Sequence, residues 1–429
     1  MALVTELELP AFDHTDESVR GESFHAAMRA LRDRAGANEH GWLARSPYGY
    51  MTLDREAGEF FLRTRSAIFP GMTIAEIFGV TEGPLFEEMR RNILHINGPD
   101  HQRLRSLVNP ALSPRAVERY RPAMQVFMQQ LLERAVAAQA AGDGDVQAGE
   151  VECEFVEAFA KPYPSLVIAS VMGAPLEDAP RLHHWSNWIQ KQFDAGAMAA
   201  ERDGIERAVQ EFYEYAEALV RARRNDPGDD LISKLIEAEE EGDRLSDVEC
   251  INLVFNVLVG GVDTSQSQLA HAVRLLGEHP DQWRLLSAEP SLAGDAVEEA
   301  LRYEPITPFT ARIVTEELEF RDVVFPQGTI VMVCAFTGNR DLADEDRGPE
   351  GAEAFDITAK RGRAKPMTFG AGIHYCLGAN LARLELQEGL GFLASQVRRL
   401  ELTGEPQYGT ISGIYGLESL PVRLSLSAV

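Results

Sequence analysis

Cys376 lies in surroundings that suggest chemistry, because the glycine-rich stretch that contains it, 369–378, reads FGAGIHYCLG. Glycines allow backbone conformations that are closed to other residues, and they let a flat ligand come close. Leucines at helical spacing follow and predict a helix over 377–396. A cysteine just before a helix N-terminus is favoured as a thiolate, since the helix dipole and free N–H groups stabilise negative charge. A thiolate serves as a nucleophile or as a metal ligand, and the wide spacing of this stretch favours a cofactor over a catalytic triad.

A second candidate is the pair Asp263 and Thr264, which follows Gly260 and Gly261 in the apolar segment 251–276. The segment is apolar nearly all round, which predicts a helix buried in the middle of the protein. Two glycines inside a helix weaken it and permit a bend. An acid beside a hydroxyl at such a bend is a poor choice for a core without a purpose, because burying polar groups is costly.

Two further pairs of residues have the spacing of a single helix face. His101 and Arg105 are four residues apart, after the helix-start signal Gly-Pro-Asp at 98–100, and together they could donate hydrogen bonds to carboxylates. Glu299 and Arg302 are three residues apart, which is the spacing of an ion pair. Either pair alone would be an ordinary surface feature.

The stretch 369–378 resembles the haem-binding loop of the cytochrome P450 family. The matching positions are Phe369, Gly370, Gly372, His374, Cys376 and Gly378. The resemblance implies that Cys376 is the axial thiolate ligand of haem b (iron protoporphyrin IX), where a thiolate favours O–O bond cleavage. The alternative is an inert buried cysteine, which most lone cysteines are. Six matched positions in ten favour the haem ligand, subject to the structural context of the motif.

The resemblance also implies roles for the other candidate residues. It places Asp263 and Thr264 over the haem, where Asp263 relays protons and Thr264 assists oxygen activation through a hydrogen bond. It identifies Glu299 and Arg302 as a structural E-x-x-R motif, which pairs with an arginine farther along the chain. The residues that it assigns to cofactor binding are His101, Arg105, Gly260, Gly261, Arg312, Phe369, Gly370, His374, Cys376 and Gly378.

Two positions depart from the family pattern near the expected oxygen site. Gly260 stands where many relatives carry alanine, which predicts slightly more space above the iron. Ser265 replaces a threonine that is common in relatives.

The fold implied by the resemblance is mainly α (α+β), a helix-rich triangular prism with small β-sheets around a buried haem. It implies a single domain over 1–429, with 1–40 as an N-terminal arm and no fused reductase. Periodicity predicts helices over 55–65, 117–141, 155–171, 179–192 and 205–223, and strands within 42–53, 306–314, 318–325 and 329–336. The interval 66–97 is apolar but irregular, and no regular element is predicted there.

Composition limits the partners and the compartment. The formal net charge of −26 excludes nucleic acid and anionic membranes as expected partners. The four cysteines have neither zinc nor disulfide spacing, which fits a reducing cytoplasm. Residues 1–13 lack the pattern of a signal peptide, and no run of about twenty apolar residues predicts a membrane span.

Two local clusters leave alternatives open. Lys360, Arg361, Arg363 and Lys365 form either a solvated loop or a docking site for an acidic electron-transfer protein. The segment 183–193, which is rich in histidine and aromatic residues, is either a lid over the substrate entrance or part of the core. Its adjacent histidines, His183 and His184, would not face each other on a helix, so a metal site is not favoured.

The predicted function is a haem-thiolate monooxygenase that inserts one atom of O₂ into a lipophilic small molecule, such as a terpenoid, steroid, fatty acid or polyketide. By resemblance, electrons come from a ferredoxin and an NAD(P)H-dependent ferredoxin reductase. The residues predicted to line the substrate pocket are Met72, Phe78, Val259, Ile306, Phe309 and Ile414. The alternatives are a peroxide-driven haem enzyme and a non-catalytic haem sensor, and the pair Asp263 and Thr264 argues against both.

Overall fold

The computed structural model describes residues 1–141, 149–240, 245–362 and 365–427. Helices dominate this part of the chain. The α-helices are α1 (Gly21–Gly36), α2 (Arg55–Arg63), α3 (Gly71–Ile77), α4 (Pro84–Arg91), α5 (Gly98–Val108), α6 (Pro114–Val117), α7 (Arg121–Ala141), α8 (Pro162–Met172), α9 (Ala179–Gln190), α10 (Ala195–Ala200), α11 (Arg202–Asn225), α12 (Leu231–Glu240), α13 (Asp247–Gly261), α14 (Asp263–Glu278), α15 (Pro280–Ala288), α16 (Ala293–Tyr303), α17 (Ala335–Gly338) and α18 (Ala379–Gln396).

The strands are short and form small sheets. They are β1 (Ala2–Leu3), β2 (Leu43–Ser46), β3 (Gly49–Thr52), β4 (Ala67–Ile68), β5 (Glu150–Glu154), β6 (Phe309–Val314), β7 (Leu318–Phe320), β8 (Val323–Phe325), β9 (Ile330–Cys334), β10 (Val397–Leu402), β11 (Gln407–Tyr408), β12 (Leu417–Ser419) and β13 (Pro421–Leu426). Among the described residues the sheet orders are β2-β3-β9-β6-β4, β1-β8-β7, β10-β13-β5 and β11-β12. The five-stranded sheet carries Phe309 and Arg312 toward the interior, since both lie on its strand β6.

The centre of the helical part is the interrupted helix α13–α14, which contacts α8, α9, α16 and α18. Nearly every residue of α14 is buried, as the all-round apolar pattern predicts. Within the described residues, Asp247–Glu278 is also the stretch long and apolar enough to cross a membrane by length and composition, and 61% of that window is buried inside the protein. A buried core helix satisfies the same criterion, and the break at Val262 divides this one.

Most of the predicted helices and strands are confirmed with shifted ends, but two regions differ. The interval 66–97 contains the helices α3 and α4, and α4 begins with Pro84, a residue favoured in the first helical turn. The strand predicted over 318–325 is a hairpin, β7–β8, because Arg321 and Asp322 adopt positive φ values of 49° and 62°. A two-residue turn of this kind matches the right-handed twist of the paired strands.

The segment 1–40 contains more regular structure than an arm. Strand β1 pairs in parallel with β8, and Val4 just after it is fully buried. Helix α1 buries Phe24, Met28 and Leu31 in a cluster that also contains Phe309 and Tyr415. This segment therefore packs against the sheet beside the internal cavity described below.

Candidate functional site

An internal cavity of about 490 Å³ lies between the α13–α14 helix, strand β6 and the loop 369–378. Its wall is mainly apolar, which is the usual character of a site for a small organic ligand. Every residue predicted to bind the cofactor lines this cavity, although the residues come from α5, α13, β6 and the glycine-rich loop.

The loop 369–378 presents Cys376 to the cavity. Gly370 and Gly372 have φ values of +68° and +71°, in the left-handed region that favours glycine. A Cβ atom on Gly372 would also lie 2.5 Å from the carbonyl oxygen of Leu62, so the loop packs closely against the last turn of α2. The N–H of Cys376 donates to the carbonyl of Phe369 at 2.9 Å and closes the loop. The cysteine precedes α18 by three residues, so the predicted position before a helix N-terminus is confirmed.

Opposing effects act on the Cys376 thiol. The side chain is accessible from the cavity but is enclosed by the protein, and this burial raises the pKa of the thiol above its usual value. The backbone N–H groups of Gly378 and Ala379 and the positive charges of Arg105 and Arg383 lower that pKa. A coordinated metal cation deprotonates a thiol outright, so these groups are arranged to support a thiolate beside a cation.

Three cationic or hydrogen-bonding side chains line the cavity without a counter-charge. Arg312 is 3% exposed and donates to the carbonyl of Ala311 at 2.8 Å, and no carboxylate among the described residues pairs with it. Arg105 donates to the carbonyl of Tyr375. His101 is buried, and its Nδ1 has no hydrogen-bond partner in the described part of the chain.

These three groups converge on one another. The ring of His101 lies 4.4 Å from that of His374, centroid to centroid. Burial, and then the charges of His101, Arg312 and Arg105, lower the pKa of His374 to about 3. The carboxyl group that lines the described cavity is Glu385, and burial raises its pKa to about 8, so it is mostly protonated at pH 7. The donor set therefore fits a ligand with an anionic edge.

The break between α13 and α14 opens the helix toward the cavity. A Cβ atom on Gly260 would meet nothing within 4 Å, so the space beside this residue is open. On Gly261 a Cβ atom would lie 2.3 Å from Cδ1 of Ile168, which shows that this glycine permits α13 to pack against α8. The hydroxyl of Thr264 donates to the carbonyl of Gly260 at 2.5 Å and lines the cavity.

Asp263 points away from the cavity, toward α9. Its carboxylate accepts hydrogen bonds from the hydroxyl of Ser186 at 2.5 Å and from the amide of Asn187 at 3.4 Å. It is 5% exposed, and burial raises its pKa although Ser186 and nearby His183 act in the opposite direction. His183 itself hydrogen-bonds to Oε1 of Gln266 at 2.9 Å. The acid is thus joined to α9 rather than to solvent.

Helix α9 contributes to the core and ends at the cavity wall. Trp185 is buried in the core, where its ring lies 5.7 Å from that of Phe212. Ser186 and Asn187 contact Asp263, and Gln190 at the end of the helix lines the cavity.

Glu385 is a buried carboxyl group that the sequence reasoning missed. It lies on α18, where its Oε2 accepts from the hydroxyl of Ser265 at 2.9 Å and its Oε1 has no partner among the described residues. An acid between Leu384 and Leu386 in an apolar helical pattern was the signal that could have found it.

Glu299 and Arg302 form the predicted buried ion pair, with two contacts of 2.7 Å. The arginine farther along the chain is Arg361, whose Nη2 lies 2.7 Å from Oε1 of Glu299. The backbone N–H of Asp356 donates to the same oxygen at 3.0 Å. This network fixes the chain between α16 and the glycine-rich loop.

The pairing of Arg361 corrects one prediction. The side chain is 11% exposed and is bound to Glu299, so Arg361 is not free to contact an electron-transfer protein. Lys360 and Lys365 are exposed, and Arg363 lies outside the described residues.

The residues predicted for the substrate pocket mostly line the cavity. Phe78, Val259, Ile306, Phe309 and Ile414 do so. Met72 does not, because it lies on α3 and packs against the large helical core, so its placement in the pocket was wrong. Side-chain amides in the wall, such as Gln192 and Asn256, were missed, since nothing in their sequence spacing distinguishes them from other polar residues.

Comparisons with known proteins agree with this geometry. Residues 75–407 match the family model "Cytochrome P450". The chain is 34% identical to luteothin monooxygenase of Streptomyces thioluteus over 423 residues, which cover 97% of this chain and 96% of the relative. It is 36% identical to cytochrome P450 107B1 of Saccharopolyspora erythraea over 381 residues, covering 86% and 85%.

The fold also matches solved structures. The crystal structure of CalO2 superposes with a TM-score of 0.84 at 30% identity, covering 97% of this chain and 99% of that one. The predicted mainly α fold with small sheets is confirmed. Because the family model and the full-length relatives agree, the chain belongs to the cytochrome P450 family and is a P450 monooxygenase.

Proposed function

We propose that this chain binds haem b with Cys376 as the axial thiolate and oxidises a lipophilic small molecule. The observation that carries the proposal is the meeting of the Cys376 sulfur with a set of uncompensated donors in the wall of one apolar cavity. His101, Arg105 and Arg312 would bind the two propionates, whose charges would supply the missing counter-charge. Gly260 and Gly378, whose Cβ positions are open, leave room for a flat ring.

Bound here, haem supplies the redox chemistry by which dioxygen is reduced and an apolar C–H bond is oxidised. The protein's own part is to hold protons and to exclude water. Thr264 Oγ1, which donates to the carbonyl of Gly260, is placed to turn its proton into the cavity. Asp263 is proposed to hold the next proton: burial raises its pKa, and the hydroxyl of Ser186 donates to its Oδ2.

The proposed substrate is a lipophilic molecule, of the terpenoid, steroid, fatty acid or polyketide kinds. The apolar wall that includes Val259, Ile306 and Phe309 supports this class. Electrons arrive singly from a ferredoxin and its NAD(P)H-dependent reductase. Exposed Lys360 and Lys365 remain available for such an acidic partner. The chain acts as one domain over 1–429 in the cytoplasm, in keeping with its free cysteines.

The test is the difference spectrum of the reduced protein with carbon monoxide. A strongly red-shifted Soret band would support a thiolate opposite the gas, and the Cys376→Ser variant should lose that band while retaining its fold by circular dichroism. Cys153→Ser, a partly buried cysteine on β5, is the matched control and should keep the parent spectrum. A band at the ordinary position in the parent protein would contradict thiolate ligation.

A further inference from the structure

Side-chain amides enter the apolar cavity together on the side formed by α4, α9 and α13. We call Asn92, Gln190, Gln192 and Asn256 the amide cluster, and all four line the cavity. Asn92 follows α4, Gln190 ends α9, Gln192 lies two residues later, and Asn256 lies on α13. Two hydrogen bonds fix members of the cluster to neighbouring backbone: the N–H of Ile93 donates to Oδ1 of Asn256 at 3.1 Å, and Gln190 Nε2 donates to the carbonyl of Val259.

The amide cluster has unused hydrogen-bonding atoms. Gln192 is 3% exposed; its amide nitrogen faces the carboxyl of Glu88, and its Oε1 has no hydrogen-bond partner among the described residues. The same holds for Oε1 of Gln190 and Nδ2 of Asn256. Native proteins pair most buried polar groups, so unpaired atoms in a cavity wall indicate a ligand or bound water that pairs with them. Both donors and acceptors are left over, which favours a partner that can accept and donate.

The neighbouring carboxyl group disfavours an anionic ligand at this place. Glu88 is fully buried behind the cluster, where its Oε1 accepts from Nδ2 of Asn92 at 2.5 Å. Burial raises the pKa of Glu88 to about 7, and hydrogen bonding by the amides of Asn92 and Gln192 lowers it in part. Among the described residues, the arginine and lysine side chains that line the cavity are Arg105 and Arg312. Both belong to the donor set assigned above to the propionates. A carboxylate bound at the amide cluster would have no cation to pair with. It would also lie beside Glu88, an acid that can itself become negatively charged.

We propose that the amide cluster is a recognition site for a neutral polar group that both donates and accepts hydrogen bonds, such as a carboxamide, on an otherwise apolar substrate. Free carboxylic acids are poor ligands of this site, which narrows the substrate class proposed above. The inference rests on the proposed function for its place in catalysis, but the binding itself does not require turnover.

The position of the cluster also limits where such a substrate is oxidised. Asn256 precedes Thr264 by eight residues on the interrupted helix. At the rise of an α-helix this corresponds to about 12 Å. The polar group and the oxidised carbon are therefore separated by on the order of 10 Å, the length of a medium alkyl chain.

The experiment compares dodecanamide with dodecanoate at pH 7.5 on the haem-loaded protein. The two probes share their chain and differ in charge and hydrogen-bond donation. Calorimetry measures binding, and the spin-state change of the haem spectrum measures approach to the iron. The amide should bind at least about tenfold more tightly than the acid, because the ionised acid has no N–H or O–H to donate to Oε1 of Gln190 and Oε1 of Gln192. Equal affinities, or tighter binding of dodecanoate, would overturn the inference, as would the failure of both probes to bind.

Variants test whether the named side chains cause the preference. Gln192→Leu and Asn256→Leu should each weaken dodecanamide binding about fivefold to tenfold and leave dodecanoate within about twofold. Gln129→Leu, at an exposed amide on α7, is the matched control and should change neither. Equal losses for both probes would indicate a general packing effect and contradict the proposal. If Gln192→Leu fails to fold, the proposal is still tested by Asn256→Leu and by the comparison of dodecanamide with dodecanoate on the parent protein.

The two readouts separate this inference from the proposed function. An amide preference by calorimetry without a thiolate-haem spectrum would support the site and contradict the proposed function. A thiolate-haem spectrum without an amide preference would support the proposed function and contradict the recognition site.

Discussion

Two kinds of buried carboxyl group occur in this protein, and they differ in how completely they are paired. Glu299 and Glu304 lie away from the cavity wall, and each is bound by two cationic or hydrogen-bonding side chains at 2.6–3.2 Å: Arg302 and Arg361 for Glu299, and Arg274 and His25 for Glu304. Asp263 and Glu385 lie at or next to the cavity and are held by hydroxyl groups, those of Ser186 and Ser265. Burial raises the pKa of both of the latter.

The difference separates structural acids from acids that can carry protons. A buried carboxylate with two charged partners stays ionised, and its loss leaves unpaired cations inside the protein. A buried carboxyl held mainly by a hydroxyl has no arginine or lysine to keep it ionised, so burial raises its pKa and favours the protonated form. The arrangement of partners, rather than burial alone, therefore indicates which acids serve the fold and which serve the site.

The largest expected effect is on stability, at Glu299. Glu299→Gln leaves Arg302 and Arg361 buried without their anion, so the free energy of unfolding should fall by about 3–5 kcal/mol. Urea unfolding followed by circular dichroism measures it. Glu317→Gln, at an exposed acid, is the control and should change the value by less than about 0.5 kcal/mol. A loss below about 1 kcal/mol at Glu299 would remove the distinction between the two kinds of acid.

Glu304 should make stability depend on pH in the acid range. Arg274 and His25 hold the pKa of this carboxyl well below its usual value despite burial. A lowered pKa contributes stability that is fully present above the ordinary value, about 4.3, and is lost as the pH falls further. Thermal unfolding of the parent should therefore shift downward below about pH 5, and Glu304→Gln, already about 3 kcal/mol less stable at pH 7, should show a shallower dependence. Parallel curves for the two proteins would contradict this assignment.

Asp263 should affect activity while leaving the fold intact. Asp263→Asn keeps the size of the side chain and removes the proton that the acid would hold, so product formation should fall about 30- to 100-fold. The rate of product formation with a ferredoxin system measures it. The free energy of unfolding should fall by less than for Glu299→Gln, by about 1–2 kcal/mol, because no arginine or lysine pairs with this acid and asparagine keeps an oxygen that can accept from Ser186. Asp281→Asn, on the exposed start of α15, serves as the control. An unchanged rate in Asp263→Asn would place the proton source elsewhere.

Glu385 should give a pH dependence of stability that is opposite in sign to that of Glu304. Its pKa is raised to about 8 by burial, so the folded protein holds a proton that the unfolded chain releases above about pH 4.3. Stability from this group is present at low pH and is lost by about 1 kcal/mol per pH unit as the pH rises toward 8. Glu385→Gln should remove that slope and be more stable than the parent at pH 8. Urea unfolding at pH 5, 6.5 and 8 tests this, and a variant less stable than the parent at every pH would contradict it.

The sequence predicted which residues carry the chemistry better than it predicted which residues the fold brings together. Cys376, Thr264 and Glu299 could be found because each lies in a short motif whose spacing is set by one loop or one helix. Residues that meet only through the tertiary fold, such as Asn256 and Gln192, leave no such local signal. Met72 was misplaced for the same reason, since an apolar residue in an irregular segment can face the core or the cavity equally well.

Long-range pairing also explains what the sequence missed in the fold. Asp263 points toward Ser186 because of the way α9 packs across α14. The hydrophobic periodicity of either helix alone does not predict that packing. The partner of Glu299 and Arg302 was expected only as a later arginine, and the structure identifies it as Arg361.

The pairing of β1 with β8 has a consequence for the order in which the chain becomes structured during synthesis. Ala2 pairs with Val323, so the partner strand of β1 is made about 320 residues later. At ordinary rates of translation this interval is roughly 15 to 60 seconds. Strand β5 likewise cannot pair until β13 has been made, because Glu154 pairs with Pro421. The first sheet can therefore close only after about three quarters of the chain has been made, and the second only near the end of synthesis. Until then Val4 and Val151, which are buried in the finished protein, face the solvent or a chaperone.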